Sequence, residues 1–350
     1  MKTVFPIRLK QARVMRGLSM DELVKRLDYA LTKQSIHKYE AGQMMPDSRS
    51  LILLANALEV TPDSLLRPIG PSIGETVFHS YVKLSGKPLA SIKEMVRDQL
   101  ECYLEIEELC GIESKMVNGI RNANIREDND IGSIVANLKK EWRLGDNGIA
   151  NEIETLENNC IKVIEIEAPT MIDALSAMVG ESLRVIVLNS NFTAERKRFT
   201  VLRELGYLIL EFDPESDSKE RDHLCNIFAR EMLISSDRFK SLIGERRHDI
   251  SLQELIDLQC QYGISIDALM YKAKCCGIIS EHRYAGFCMK KKALPQFREL
   301  VEGSRYRDEK SSRFERLVFC ALATGIISIS KASALLNQPI EQVYNDLNLI

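Results

Sequence analysis

The chain has 350 residues, of which 45% are hydrophobic and 28% are charged. This composition is typical of a globular protein and excludes a mainly disordered, collagen-like or fibrous chain. The net charge of −3 is unevenly distributed, because residues 1–70 carry 11 Lys and Arg against 7 Asp and Glu, while the remaining residues carry 36 against 43. A basic N-terminal segment on an acidic body indicates a polyanionic partner for that segment alone.

No segment is predicted to cross a membrane. The longest stretch without a charged residue, 317–330, has 14 residues, whereas a membrane span needs about 20 mostly apolar ones. The N-terminus has no hydrophobic run of the signal-peptide type, so we expect a cytoplasmic protein. None of the nine cysteines falls in a Cys-x-x-Cys pair, which predicts reduced thiols and no disulfide framework.

Five short helices are predicted before a break at residues 67–74, where two prolines and two glycines indicate a linker. The first helix runs over residues 7–15. Ser19 followed by Glu22 forms a capping box for the second, Thr32 caps the third, Ser48 or Ser50 begins the fourth, and Thr61-Pro62 begins the fifth. A pair of short helices within a five-helix unit is typical of the helix-turn-helix layout.

The residues of this segment resemble the Xre/Cro-like helix-turn-helix family. The resemblance rests on residues 18–19, on 32–42, and on Pro46 followed by residues 51–66. It implies a sequence-specific DNA-binding domain that binds double-stranded operator DNA as a homodimer. One departure is Met20, which stands where the family usually has Gln just after the cap of the second helix.

The resemblance makes the third helix the one that enters the major groove. The residues expected to contact DNA are Thr32, Lys33, Gln34, Ser35 and Lys38. Gln can pair bidentately with adenine, and Lys can contact guanine or a phosphate. The alternative is that Lys33 and Lys38 belong to a solvated helix face with no ligand.

After the linker, residues 75–130 are predicted to be a helical connector, with its main helix over 91–111. From residue 131 strands are also expected: 160–166 and 183–189 alternate or run apolar, and a helix through Ile149 precedes them. Residues 195–210 form a further helix. On it Arg203, Glu204 and Tyr207 share one face, because they are spaced by one, three and four residues. A His-Glu-x-x-His peptidase places two zinc ligands and a general base on such a face.

Residues 131–285 resemble the ImmA/IrrE metallopeptidase-like domain. The residues that carry the resemblance are 187–190, 198–200, 204–206, 226–233, 261–269 and 276–280. It implies a zincin-like fold. The resemblance also aligns the first two ligand histidines of the family with Arg203 and Tyr207, its third ligand with Asp222, and its general base with Glu204.

We expect no metal and no cofactor at this degenerate site. A guanidinium cannot deprotonate to become a ligand, and a phenol with a pKa near 10 is a poor one. A displaced site using His223 and Cys225 beside Asp222 is disfavoured, because neighbours at one and three residues point in different directions. We expect Arg203 to pair with Asp222 in place of the metal charge, and Glu204 to be either a vestigial base or a structural acid.

The tail is predicted to be helical, with one stripe over residues 314–322 and a helix, turn and helix over 329–343. The expected fold is mainly α with a small α+β domain. The expected domains are the helix-turn-helix domain (1–68), linker and connector (69–130), an ImmA/IrrE-like pseudopeptidase (131–290) and a helical C-terminal module (291–350).

Two functions compete. The first is a DNA-binding regulator that acts as a repressor and as the antitoxin of a toxin–antitoxin pair. Its peptidase-like domain is inactive and binds a partner or ligand, such as a toxin encoded by the adjacent gene. The second is an active metalloprotease that cleaves a repressor. The Arg203 and Tyr207 substitutions favour the first, and the sequence does not separate an antitoxin from a stand-alone regulator.

Overall fold

The computed structural model describes residues 4–69, 76–78, 86–112, 123–124, 130–145, 147–170, 172–180 and 183–347. The chain divides into two compact units. The first comprises Met1–Glu75, Lys83–Lys115 and Ser312–Ile350, and the second comprises Thr76–Val82 and Met116–Ser311. Most of the predicted linker, residues 70–74, lies outside the described residues.

The first elements in chain order are α1 (Val4–Met15), α2 (Met20–Arg26), α3 (Lys33–Glu40), α4 (Ser48–Leu58), α5 (Pro62–Leu66), β1 (Thr76–Phe78), α6 (Lys87–Leu109), β2 (Ala123–Asn124), α7 (Asp130–Glu141) and α8 (Glu152–Asn158). The following elements are β3 (Ile161–Ile166), β4 (Ala174–Val179), β5 (Leu183–Asn189), α9 (Ala194–Ile209), β6 (Leu210–Glu211), α10 (Ser218–Leu233), α11 (Ser236–Ile243) and α12 (Leu252–Tyr262). The last are α13 (Ile266–Cys275), α14 (Glu281–Ala293), α15 (Pro295–Glu302), α16 (Arg313–Ala323), α17 (Ile329–Leu336) and α18 (Ile340–Leu347). The chain is therefore mainly helical with a small sheet, as predicted.

Local capping begins the N-terminal helices where the sequence predicts them. Ser19 Oγ accepts from the Glu22 backbone N–H, and Glu22 accepts in return from the Ser19 N–H, so the predicted capping box is confirmed. Thr61 caps α5, with Pro62 at its first position. The cap of α4 is Asp47 and not a serine, because the Asp47 carboxylate accepts from the Ser50 N–H at 2.7 Å.

Helices α1 to α5 enclose one hydrophobic core. Its fully buried side chains include Phe5, Leu9, Leu23, Ile36, Leu54 and Leu58. Each such side chain contributes about 1.5–3 kcal/mol by leaving water. Those side chains recur at helical spacing, which is why five short helices with little stability of their own fold together.

The connector helix α6 and the C-terminal helices belong to the same unit as the helix-turn-helix domain. Buried ion pairs join α6 to α1 and to the end of α5: Arg8 contacts Glu101 at 2.6 Å, and Arg67 contacts Asp98. Asn337, just after α17, accepts from the Thr61 N–H at 3.0 Å at the start of α5. Residues 291–350, predicted as one module, are thus divided between the two units. The end of α14 and all of α15 lie in the second unit, whereas α16 to α18 lie in the first.

The second unit contains a four-stranded sheet of order β1-β4-β5-β3. β3 and β5 pair in parallel, whereas β4 is antiparallel to both β5 and β1. Helix α9 packs on β4 and β5, and α10 packs on α9. The predicted strands β3 and β5 are confirmed, but β4 was not predicted. The helix expected through Ile149 begins only at Glu152, because the Asn151 side chain caps it there.

A loop of the second unit, residues 303–311, is held against α9 by buried charges. Arg198 on α9 pairs with Glu152 at 2.9 Å and with Glu309, and all three side chains are at most 4% exposed. Nearby, Glu195 accepts from the Ser304 hydroxyl at 2.6 Å and from the Arg305 N–H at 2.9 Å. The loop is therefore fixed by the Arg198 guanidinium and the Glu195 carboxylate of α9, and Glu152 of α8 shares Arg198 with Glu309.

Glu152 and Glu195 differ in their ionisation. Burial raises the pKa of Glu152 to about 8, because Arg198 already faces the second carboxylate of Glu309. Burial also acts on Glu195, but its hydrogen bonds from Ser304 and Arg305 outweigh it, so the pKa of Glu195 is lowered. Near neutral pH, Glu152 holds a proton and Glu195 is ionised.

We predict opposite responses to removing these two charges. The raised pKa of Glu152 makes the unfolding free energy of this unit fall as pH rises from about 5 to about 8, because the unfolded chain has already lost that proton. Glu152→Gln should flatten this fall and leave stability at pH 8 unchanged or higher. Glu195→Gln places an amide donor against the hydrogen-bond donors of Ser304 and Arg305. It should lower the unfolding free energy by about 2–3 kcal/mol at pH 7.

The measurement is urea unfolding followed by fluorescence of Trp142, the single tryptophan of the chain, which packs in the core of the second unit. Glu195→Gln is the matched control for Glu152→Gln, since both replace a buried acid with its amide. Equal destabilisation by both variants at pH 8 would contradict the assignment of a proton to Glu152.

Candidate functional site

The predicted DNA-contacting helix α3 uses two of its five candidate residues for its own N-terminus. Thr32 Oγ1 accepts from the Ser35 N–H at 3.1 Å, and the two hydroxyls lie 2.9 Å apart. Both groups are therefore engaged in capping in this structure. Their hydroxyls retain the capacity for one further hydrogen bond each.

The other three candidates lie on the exposed side of α3. Gln34 and Lys38 are exposed, while Ile36 and Tyr39 face the core. Lys33 is exposed but contacts Asp21 of α2 through an ion pair of 2.7 Å. An exposed pair of this kind contributes roughly 0–1 kcal/mol, so it can be exchanged for another contact at little cost.

A bidentate ion pair that the sequence analysis missed positions α3. Arg13 of α1 contacts both carboxylate oxygens of Glu40, the last residue of α3, at 2.6 and 2.8 Å. It also donates to the Leu18 carbonyl at 2.8 Å. The side chains are only 12% and 6% exposed, so the pair is held in a fixed geometry. The two positions are 27 residues apart in the chain, so local sequence gave no signal for the pair.

The second candidate site lies on α9 of the other unit. Glu204 is completely buried, whereas Arg203 and Tyr207 are partly exposed. Gly206 lets α10 approach closely, since a Cβ at this position would lie 3.2 Å from Cys225 Sγ. The close approach brings Asp222 of α10 within reach of Tyr207. The structure thus brings together Arg203, Glu204, Tyr207 and Asp222, the four residues aligned with the metal site.

Arg203 pairs with its neighbour and not with Asp222. Its Nη2 lies 3.0 Å from Glu204 Oε1. Asp222 instead accepts from the Tyr207 hydroxyl at 3.2 Å and from Asn226 Nδ2 at 3.1 Å. The prediction that Arg203 pairs with Asp222 is therefore wrong, because its partner is Glu204. The acid that needs compensation is the buried Glu204, because Asp222 already has two neutral donors.

The electrostatics disfavour ionised ligands. Burial raises the pKa of Glu204, although Arg203 acts against the rise. Burial likewise raises the pKa of the Tyr207 phenol, and the nearby thiol and carboxylates raise it further. For Arg203, the lowering by burial is outweighed by Glu204, so its pKa is raised. Tyr207 therefore stays a neutral phenol, and Arg203 stays a cation.

These side chains do not fit a zinc ion. A catalytic zinc site needs about three protein ligands. This group offers a guanidinium, a neutral phenol, the buried Glu204 acid paired with Arg203, and the Asp222 carboxylate, which accepts from Tyr207 and Asn226. Among the described residues, no group of three or more His, Cys, Asp and Glu is arranged to hold a metal. His223 is exposed while Cys225 is fully buried, so these two side chains point to different sides of α10.

Comparisons with known proteins match two separate segments of the chain. Residues 7–71 match the family described as a helix-turn-helix domain, and residues 157–274 match the IrrE N-terminal-like domain of a peptidase family. A 64-residue segment is 38% identical to the SPbeta prophage-derived uncharacterized HTH-type transcriptional regulator YonR of Bacillus subtilis (strain 168). That segment is 18% of this chain and spans 57% of the length of YonR. Both family resemblances predicted from the sequence are confirmed.

Within the part of the chain that the structure describes, none of the helices combines the length and the apolar character that crossing a bilayer requires.

We predict that Glu40 holds α3 in place. Glu40→Ala leaves the Arg13 guanidinium buried without its carboxylate, which should cost about 3 kcal/mol. Replacing both residues by Met should recover much of that loss, because no buried charge is left unpaired. Hydrogen exchange of the α3 amides measures the effect. Asp21→Ala, which removes the acid of an exposed pair, is the control and should cost less than about 1 kcal/mol; equal exchange in both variants would contradict the prediction.

Proposed function

We propose that this chain, which joins a helix-turn-helix domain to an IrrE N-terminal-like domain, is a sequence-specific DNA-binding transcriptional regulator. The observation that carries the proposal is the exposure of Gln34 and Lys38 on a helix held by the Arg13–Glu40 pair. Gln34 lies in the first turn of α3, where helix-turn-helix proteins contact base edges. Lys38 follows one turn later, at the spacing of a guanine or phosphate contact. A regulator of this kind acts in the cytoplasm.

We propose further that the peptidase-like domain does not hydrolyse peptide bonds. Its support is the arrangement on α9, where Arg203 places a permanent positive charge beside Glu204. A general base of a metallopeptidase acts on a metal-bound water, and a fixed cation at a ligand position repels the metal that would bind it. The domain would then serve as a scaffold that binds a partner or ligand.

An antitoxin role is the most specific form of this proposal. The regulator would repress its own promoter as a homodimer and would bind a toxin encoded by the adjacent gene. Co-expression with the product of that gene tests this form. A stable complex that binds the shared promoter supports an antitoxin, and promoter binding by the chain without any complex identifies a stand-alone regulator.

A second candidate function is an active metalloprotease that cleaves a repressor. It is favoured by the match of residues 157–274 to a peptidase family and by the presence of Glu204 at the general-base position. Arg203 and Tyr207 at the ligand positions argue against it, for the reasons of charge and pKa given above.

We predict that α3 reads the operator. Gln34→Ala/Lys38→Ala should weaken binding to the promoter DNA of its own gene about 10- to 100-fold, since a bidentate base contact contributes about 1–3 kcal/mol. Loss of Lys38 should also reduce the salt dependence of binding by about one phosphate contact. Fluorescence anisotropy at several stated salt concentrations measures both effects.

The matched control for this variant is Lys93→Ala/Gln99→Ala, which removes the same two residue types from the exposed side of α6. It should bind DNA as the unmodified protein does. If both double variants bind equally well while remaining folded, α3 is not the helix that contacts DNA.

We predict that the purified protein contains no stoichiometric zinc. Arg203→His/Tyr207→His supplies two imidazoles beside Asp222 and should bind zinc, whereas Arg203→His alone supplies one and should not. Elemental analysis after dialysis measures the zinc content of all three proteins. Zinc at one equivalent in the unmodified protein, or peptide cleavage abolished by Glu204→Gln, would overturn the non-catalytic proposal and leave the DNA-binding proposal standing.

A further inference from the structure

Helix α14 of the second unit exposes one face with an apolar centre. Phe287 on its opposite side is buried and packs on Phe297 of α15 at a ring distance of 5.9 Å. On the exposed face, Ala285 and Met289 lie one turn apart, and Met289 is 63% exposed. The Met289 side chain is flexible and polarisable, so it can pack on the surface of another molecule.

The two ends of this face carry opposite charges. Glu281 stands in the first turn, with a side chain that is 80% exposed, and Lys292 stands in the last turn and is exposed. Both lie on the same edge of the face as Ala285, since 11 residues amount to nearly three helical turns. They are separated by about 16 Å along the helix axis.

Lys292 is the lysine of this cluster left for an outside partner. Lys291 pairs with Asp267 at 2.6 Å and with Glu302 at 3.1 Å. Lys290 lies over the ring of Phe297, 4.4 Å from its centre. Lys292 makes no ion pair with the residues that the structure describes. Glu281 has a single ion-pair contact among the described residues, at 3.4 Å to the partly buried Lys274, and its own side chain is 80% exposed.

The order of these residues makes the face complementary to itself. When two identical helices pack antiparallel about a two-fold axis, residue 281 of one faces residue 292 of the other, and 285 faces 289. The acid of each copy then lies opposite the lysine of the other. Gly286 beside Ala285 leaves room for the incoming Met289, because a Cβ on Gly286 would meet no atom within 4 Å.

We propose that α14 is the surface through which two copies of this chain associate. Met289 of each copy packs on Ala285 and Gly286 of the other, and Glu281 of each copy pairs with Lys292 of the other. The exposed Leu294, which follows α14, extends the apolar area at both ends. A crossing of two single helices buries less area than a permanent dimer interface, so the dimer is weak and forms in the micromolar range.

This inference goes beyond the proposed function, because it places self-association on the peptidase-like domain and not on the DNA-binding domain. When two copies bind neighbouring half-sites through their α3 helices, a weak contact between the copies links the two binding events. The overall affinity for DNA is then higher than that of one copy. DNA binding by α3 does not depend on it.

The charge pair can be tested by exchange. Glu281→Lys or Lys292→Glu alone places like charges opposite each other twice in the dimer, and each should raise the dimer dissociation constant roughly tenfold or more. The double variant Glu281→Lys/Lys292→Glu restores opposite charges and should return the dissociation constant to within roughly threefold of the unmodified value. Met289→Asp should leave a monomer. Sedimentation equilibrium of the full chain measures all four variants.

The matched control is Glu220→Lys/Lys219→Glu on α10, in which Glu220 also occupies a first helical turn and both residues are exposed. It should leave the dimer unchanged. Fluorescence of Trp142 verifies folding in each variant.

Two results would overturn the inference. One is an unmodified chain that stays monomeric through the micromolar range. The other is dimerisation that weakens with Lys292→Glu, strengthens with Glu281→Lys and shows no rescue in the double variant, because that pattern indicates an acidic surface other than α14 as the partner. Promoter binding by an unmodified chain that stays monomeric through the micromolar range would accompany the first result and leave the DNA-binding proposal intact.

Discussion

The site on α9 depends on a cation that cannot lose its proton. The Arg203 guanidinium lies 3.0 Å from the fully buried carboxylate of Glu204. A buried acid needs a compensating charge or a proton. In a metallopeptidase a metal ion can supply that charge, whereas here the side chain one residue earlier on α9 supplies it. The site therefore keeps its shape and its acid without an ion.

Buried arginines stabilise each of the two units internally, in the same way. Arg13 orients α3, Arg8 joins α1 to the connector helix, and Arg198 holds a loop against α9. A guanidinium can bond two carboxylate oxygens or two different acids at once. Such pairs add little net stability compared with an apolar core, but breaking one leaves a buried charge uncompensated. Each pair thus fixes one arrangement of its helices over the alternatives.

Much of the fold followed from local sequence rules. Ser19, Thr32 and Thr61 cap the helices that they were predicted to cap, and β3 and β5 appear where apolar runs indicated strands. β4 went unpredicted, because residues 174–179 mix small and large side chains without alternation, and the strand is defined by its pairing with β1 and β5. The tail was predicted as one module, yet its helices pack in two different units.

The sequence by itself determined the resemblance to the two families and the identity of the four side chains that meet on α9 and α10, since these depend on residue identity and helical spacing. Only the tertiary structure decided which acid Arg203 compensates, that Thr32 and Ser35 cap α3, and that Arg13 holds Glu40. The physical reason is that a charge pairs with whichever opposite charge the packing buries beside it. Burial depends on contacts between residues that are far apart in the chain.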